Sequence, residues 1–280
     1  MKQRSGFFSP PRKDCWKQQN FGSCIYPLEG VLTPNPILKV LSTFKTCEVK
    51  CLLIGGQACI IYGAVEFSRD SDFVILADSE NMERLKNALQ ALEAKPVYFP
   101  EFRVEYLRKG HACHFRCEAE DVMGLRIDML SVLRGCAPFD ELWKRRKTVS
   151  IDGGTDIEVI GLSDLVQSKK TQRDKDWFMI KRLIENDIAL NKDNPSRAQV
   201  KWWLSESRTP EHLRKLAEKY PDIIKETLSQ RPLLDYAIQG DLAALSKALY
   251  EGEQLERQKD VEYWKPLRKE LEMLRRNKKT

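Results

Sequence analysis

Ile54-Gly55-Gly56-Gln57, Ser68-Arg69-Asp70-Ser71-Asp72-Phe73 and Arg126-Ile127-Asp128-Met129 are the three short stretches that decide the fold. The first closes an apolar run, Val49 to Ile54, which reads as a buried strand. Its glycine pair stops that strand and opens a short apolar helix over Gln57 to Gly63. The second carries two carboxylates one residue apart at the start of a strand, Ser71 to Leu76. The third sets a carboxylate between two apolar neighbours in a strand over Leu125 to Leu130. Residues i and i+2 of a strand share a face about 6–7 Å apart, so Asp70 and Asp72 converge. If Ile127 and Met129 face a core, Asp128 faces the other side, where a partner strand can supply Asp70 and Asp72. Three convergent carboxylates suit a two-metal site of hard oxygen ligands, with Mg²⁺ the best fit. Gly55 and Gly56 would let a phosphate approach the backbone at the start of the helix. A glycine turn and two solvated aspartates explain each part singly, but not the order of all three.

Outward from these stretches the chain divides into three parts. Residues 1–35 read as a flexible tail, with Ser9-Pro10-Pro11 and Asn35-Pro36 and no periodicity. Residues 36–185 alternate helix and strand. Ile37, Leu38, Leu41 and Phe44 have helical spacing, and Met82, Leu85, Leu89 and Leu92 mark one face of a helix over Asn81 to Glu93. Phe102 to Leu107 and His111 to Glu118 read as strands, Phe139 to Arg146 as a short helix. Asp152-Gly153-Gly154 reads as the turn of a hairpin. Residues 186–280 read as helical only, broken near Pro210, Pro221, Pro232 and Gly240. The fold class expected is α+β, a small mixed sheet flanked by helices, followed by an all-α C-terminal region.

The motif order Ile54-Gly55-Gly56, thirteen residues, Asp70-Ser71-Asp72-Phe73, then Ile127-Asp128-Met129 resembles the signature of the DNA polymerase beta-like nucleotidyltransferase superfamily. Within it the chain is most similar to minimal and AbiEii-type bacterial nucleotidyltransferases, over about residues 37 to 185. Ser68 and Arg69 match the family's small hydroxyl residue and a common basic neighbour. Ser71 stands where the family usually has a hydrophobic residue, and Glu66 where many relatives carry arginine. The resemblance implies a nucleotidyltransferase fold, with metal on Asp70, Asp72 and Asp128. It also implies transfer of a nucleoside monophosphate from a nucleoside triphosphate to an acceptor, and AbiEii relatives make a toxin–antitoxin role an expectation.

A second cluster is Lys169-Lys170-Thr171-Gln172-Arg173-Asp174-Lys175-Asp176. Taken as one helix, Lys169, Arg173 and Asp176 fall on the stripe marked by Val166, Ile180 and Ile184. Charges on a core-facing stripe need partners, which a triphosphate or the acids can supply. The alternative is a solvated charged face on a helix that breaks near Asp174. AbiEii-like relatives carry a lysine and then a basic–acidic pair here, and Lys170, Lys175 and Asp176 look like those positions, with Lys169 the other candidate lysine. The expected site is therefore Asp70, Asp72, Asp128 and Lys170 at the chemistry. Gly55, Gly56, Ser68, Arg69, Lys169, Arg173, Lys175 and Asp176 are expected around the nucleotide. The function expected is Mg²⁺-dependent transfer, through two ions, to an RNA, protein or small-molecule hydroxyl. The alternative is a catalytically weak nucleotide- or partner-binding module that retains the fold.

Bulk properties are compatible with this. The 280 residues are 42% hydrophobic and 31% charged, which excludes a wholly disordered chain. The net charge of +6 suits a polyanionic ligand. No apolar run approaches the ~18 residues of a membrane span, and Lys2 and Arg4 precede no apolar leader segment, so neither membrane nor secretion is expected. Eight cysteines without disulfide-framework spacing read as reduced, which suggests the cytoplasm. His111-x-Cys113-His114-x-x-Cys117 reads as a strand whose alternation splits the four side chains, not as a zinc site. Trp202, Trp203, Tyr220, Trp264 and the leucines at 267, 271 and 274 read as packing faces rather than a stacking platform for bases, and Arg275-Arg276 as part of a solvated end, with contact to RNA or an acidic partner as the alternative.

Overall fold

The structure, a computed structural model, describes residues 36–64, 68, 70–151 and 155–277. The tail over residues 1–35, Glu66, Arg69 and the turn at 152–154 lie outside the described residues. In chain order, α1 (Pro36–Thr46) leads through β1 (Cys51–Ile54) directly into α2 (Gly55–Ile61), then β2 (Asp70–Ile75) and α3 (Ser79–Ala91). There follow β3 (Lys95–Pro96), α4 (Val104–Arg108), β4 (Cys113–Arg116), β5 (Arg126–Leu130), α5 (Phe139–Lys144), β6 (Lys147–Ile151) and β7 (Thr155–Val159). From there the chain is helical: α6 (Leu162–Ser168), α7 (Asp174–Asn191), α8 (Arg197–Glu206), α9 (Pro210–Lys219), α10 (Pro221–Leu228), α11 (Leu234–Gln239) and α12 (Leu242–Asn277).

Among the described residues the strands form one mixed sheet in the order β3-β4-β5-β2-β1-β7-β6. β2 pairs parallel with β5, and β1 parallel with β7; β1–β2, β4–β5, β3–β4 and β6–β7 are antiparallel. The fold is thus a mixed sheet flanked by helices and followed by an all-helical C-terminal region. Burial alternates along β5 and over the first half of β2. Phe73, Ile127 and Met129 face the core, and Asp72 and Asp128 the opposite side. Phe44 of α1 packs on Phe73 with ring centroids 4.9 Å apart, and Leu85 and Leu89 of α3 join the same core. Each such side chain contributes about 1.5–3 kcal/mol of burial.

The helix ends follow local rules. Pro210 and Pro221 open α9 and α10, where a missing N–H costs nothing. Ser196 and Gln199 form a reciprocal cap on α8. Gly240, at φ +75°, closes α11 in the left-handed conformation that glycine adopts freely.

The strand expected over Phe102 to Leu107 is instead a single helical turn, α4. Alternation over six residues does not separate the two, and topology decides. β3 already pairs with the outer edge of β4, through Lys95 with Arg116, and Val97 N–H extends the contact to His114 O. Residues 102–107 therefore have no edge to join there. A second difference lies in the Lys169–Asp176 segment, which is not one helix. α6 ends at Ser168, Lys169 caps it, and α7 begins at Asp174.

Asn81 locks the sheet's exit to α3. Its side chain accepts from Lys50 N–H at 2.6 Å and donates to Lys50 O at 3.0 Å and Leu76 O at 2.8 Å, all within a buried pocket. Asn81→Ala is expected to strand those backbone groups and lower stability by about 2–3 kcal/mol. Urea unfolding checks this: the midpoint should fall with an unchanged slope, and a midpoint within error of the parent would refute the lock.

Candidate active site

The geometry begins with the pairing of β2 and β5. Their parallel register puts Asp70 beside Arg126 and Asp72 beside Asp128. Antiparallel β4 puts His114 beside Asp128 on the other flank. The three aspartates therefore rise from one face of two adjacent strands, and all three line a cleft of about 400 Å³. Ser71, between the paired acids, points to the core side; it is fully buried and its hydroxyl finds no partner among the described residues.

Crowding of acids marks the electrostatics. Burial first, then the neighbouring Asp128 and, more weakly, Asp70, push the Asp72 carboxyl up to about 6, although Lys169 and Arg173 pull the other way. Such a shift in a cleft is a mark of a functional site. Arg126 bridges the outer pair: Nη2 is 3.2 Å from Asp128 Oδ2 and Nη1 is 3.5 Å from Asp70 Oδ2. His114 Nδ1 lies 2.8 Å from Asp128 Oδ1, out of line for a hydrogen bond. Neither Arg126 nor His114 was singled out with the acids by sequence pattern; strand register alone brings them there.

The donor set of the three aspartates is carboxylate oxygen only, which suits a hard divalent cation. The residues present fit Mg²⁺ in that chemical sense. Among the described residues, however, the three acids do not form a ready cage of metal-ligating side chains. Arg126 draws Asp70 and Asp128 to itself.

Gly55 lines the cleft and also meets a steric demand there. Its φ is +67°, and a Cβ on it would overlap the Asp72 carboxylate. Glycine is required so that the strand-to-helix turn can pass directly against Asp72. Gly56 and Ser68 line the cleft beside it. Ser68 is held in place, its carbonyl accepting from Gln57 Nε2 at 2.7 Å and its hydroxyl donating to Asp70 O at 3.2 Å.

The turn between α6 and α7 supplies cations. Lys169, Arg173 and Lys175 line the cleft, together with Thr171. Asp176 does not; it lies fully buried beneath them and gathers the rim. It accepts from Lys169 Nζ at 3.2 Å, Thr171 Oγ1 at 2.6 Å and Arg173 Nε at 2.8 Å. Burial alone would raise its carboxyl, but Lys169, Thr171 and Arg173 outweigh that and hold it below the usual carboxylate range. Lys170, expected at the chemistry, turns away: its Nζ pairs with Glu206 Oε1 of α8 at 2.9 Å, and it does not line the cleft. The helical stripe thus groups Lys169, Arg173 and Asp176 correctly while misnaming the element that joins them.

Two cleft residues had no sequence signal. Arg134, in the loop after β5, is fixed by Asp260 of α12, with Nε 3.0 Å from Oδ1. Asp260, 1% exposed, also accepts from Gln172 N–H at 3.0 Å and Trp264 Nε1 at 3.1 Å. A distant helix thereby completes the cleft wall, which no local pattern announces. The cysteine–histidine run separates: His111 Nε2 lies 2.9 Å from Glu270 Oε2, and Cys113 Sγ contacts Glu101 O at 3.8 Å.

Gly55→Ala is expected to cost about 1–3 kcal/mol, combining left-handed backbone strain with displacement of Asp72. Part of that loss should return in Gly55→Ala/Asp72→Ala. A double-mutant cycle by chemical denaturation measures it; strict additivity would show that the close approach is not the cause.

No protein-family model matches the chain. No curated protein matches it. Among solved structures, one described as a "putative nucleotidyltransferase from H. pylori" is similar over 81% of this chain and 94% of that one, at 15% identity and a TM-score of 0.38. A likeness that distant assigns no residue of this chain a role.

Proposed function

We propose that the cleft transfers a nucleoside monophosphate from a nucleoside triphosphate to a hydroxyl acceptor, with Mg²⁺ held by Asp70, Asp72 and Asp128. The observation that carries this is the meeting of three aspartates on one face of β2 and β5, ringed by Lys169, Arg173, Lys175 and Arg134. The acceptor oxygen forms a bond to the α-phosphorus, the α–β bridging P–O bond breaks, and pyrophosphate leaves with that oxygen. The acceptor's proton passes to Asp128, whose carboxylate is 14% exposed and flanked by His114. Asp70, Asp72 and Asp128 would hold the Mg²⁺, which would supply positive charge to offset that of the triphosphate. The turn cations offset the charge on departing pyrophosphate, and Asp176 keeps Lys169 and Arg173 aimed there. Lys170 has no direct part, since Glu206 holds its ammonium elsewhere.

One observation favours a second reading. Arg126 ties Asp70 and Asp128 together, as would suit a module that binds nucleotide without transferring it. Incubation with each of the four α-labelled triphosphates, Mg²⁺ and RNA, protein or small-molecule acceptors separates the two. Transfer with pyrophosphate release is expected from the parent protein. Asp72→Ala should lose about a thousandfold, roughly 4 kcal/mol in barrier. Tight nucleotide binding with no turnover against any acceptor would identify the module instead.

The finer form of the proposal is an AbiEii-type, toxin-like enzyme. Expression in bacteria is then expected to arrest growth, and Asp70→Ala to relieve the arrest. Normal growth with the parent chain expressed to the same level would count against the toxin role and leave the chemistry untouched.

A further inference from the structure

A cavity of about 160 Å³ opens in the helical region between α7, α8 and α9. Its floor is apolar: Ile188 of α7, Trp203 of α8 and Leu216 of α9. The Trp203 indole is held in place, its N–H donating to Asp187 Oδ2 at 2.7 Å. The rim is cationic. Lys192, Lys215 and Lys219 line it with His212, and no acidic residue does so among the described residues. Lys219 is fixed: its Nζ donates to Lys192 O at 2.8 Å and stands 5.2 Å from the centroid of the Tyr220 ring. Lys192 and Lys215 are exposed, and neither ammonium reaches a carboxylate among the described residues. Trp203 and Tyr220, which read in sequence as packing faces, thus also wall an open space. α7 runs between this cavity and the acidic cleft. Lys175, in its first turn, lines the cleft; Ile188, thirteen residues on, lines the cavity about 20 Å further along the axis.

We propose that this cavity docks an acidic peptide segment of a partner protein, which buries one large apolar side chain against Trp203 and sets its carboxylates on the lysine rim. Size and charge together select that occupant. The cavity is smaller than the roughly 300–1,000 Å³ of sites that enclose a whole small molecule, and has room for one anchoring side chain of something larger. An anchor seated in a dry pocket inside a polar rim is how a few side chains carry most of an interface's affinity. Lys215 and Lys219 stand one helical turn apart, about 6 Å, so one small carboxylate does not engage both, whereas successive acids of a peptide do. A nucleobase is a poor fit. The Trp203 N–H is already spent on Asp187, and Ile188 and Leu216 offer no polar atom, so a base against that floor would strand its polar edge. The chain's own first 35 residues are a poor fit too, with five basic side chains (Lys2, Arg4, Arg12, Lys13, Lys17) against two acidic ones (Asp14, Glu29). The net charge of +6 likewise disfavours a second copy. The partner sits away from the aspartates and leaves the cleft open, so the proposal stands apart from the transfer reading.

Peptide selection tests the dock without reference to catalysis. The probe is a phage-displayed library of random twelve-residue peptides, with the full chain as bait and its Lys192→Glu/Lys215→Glu variant as counter-bait. Enriched peptides are expected to carry one Leu, Phe or Trp between Asp and Glu residues. The most enriched one, synthesised with fluorescein, is then titrated by fluorescence anisotropy. Lys192→Glu/Lys215→Glu, at exposed positions, should weaken its binding tenfold or more and leave the urea midpoint unchanged. Replacing the peptide's apolar anchor by Gly should weaken binding about thirtyfold or more. That change leaves the protein untouched, so it decides the matter even if the double variant proves less stable. Raising NaCl from about 50 to 300 mM should weaken the parent more than the double variant, because exposed charges are screened. A mixture of the four triphosphates with Mg²⁺ should not displace the peptide. No enrichment over bare beads, enriched peptides without acids, equal binding by parent and double variant, or an anchor replaceable by Gly would overturn the proposal. So would displacement by the triphosphates, which would put the peptide in the acidic cleft. Displacement by single-stranded RNA or by phosphatidylserine vesicles more readily than by unlabelled peptide would assign the lysine rim to nucleic acid or membrane instead.

Discussion

Asp72 and Asp128 stand side by side on neighbouring parallel strands, with Asp70 one step along the same face. Burial strips the Asp72 carboxyl of water and the like charges of Asp128 and, more weakly, Asp70 add to this, so it is pushed up to about 6 against the pull of Lys169 and Arg173. A core does not tolerate such an arrangement without support. Here the support comes from the apolar side of the same strands, where Phe73, Ile127 and Met129 are buried beneath α1 and α3. The sheet holds the acids together against their repulsion, and the turn at Gly55 is bare so that the chain can pass over them. Arg126 and His114 take their positions against the acids from the register of β5 with its two neighbours.

Two buried carboxylates do the positioning at longer range. Asp176, at the start of α7, holds the α6–α7 turn by three hydrogen bonds and so fixes Lys169 and Arg173. Asp260, in the middle of α12, binds Arg134 and the Gln172 N–H, tying the C-terminal helix to the same turn. Each is buried with its partners present, which is the condition under which a buried charge is tolerated. The helical region is therefore part of the cleft wall, and Glu270 extends the attachment by pairing with His111 and Lys109.

Among the described residues no helix is long and apolar enough to cross a membrane. The longest, α12, carries charges along its length and keeps Trp264 and Asp260 toward the fold. The α6–α7 turn shows why grouping and mechanism come apart. Lys169, Arg173 and Asp176 sit together because Asp176 collects them across a break, not because a continuous helix aligns them.

The amino-acid pattern alone set the central strands, the turn at Gly55, the facing of Asp128 away from Ile127 and Met129, and the helix breaks at Pro210, Pro221 and Gly240. Each of these follows from local rules: period-two burial, glycine at positive φ, proline at a first turn. It misassigned α4 because six alternating residues fit either element, and only the edge already taken by β3 decides between them. The resemblance put Lys170 at the site, but matching positions along a chain does not say which way a side chain turns; Glu206, thirty-six residues on, decides that. Tertiary structure alone placed Arg126 and His114 against the acids, through strand register. It alone brought Arg134, Asp260 and Trp264 into the cleft, because pairings between residues more than a hundred positions apart leave no periodic trace in the chain.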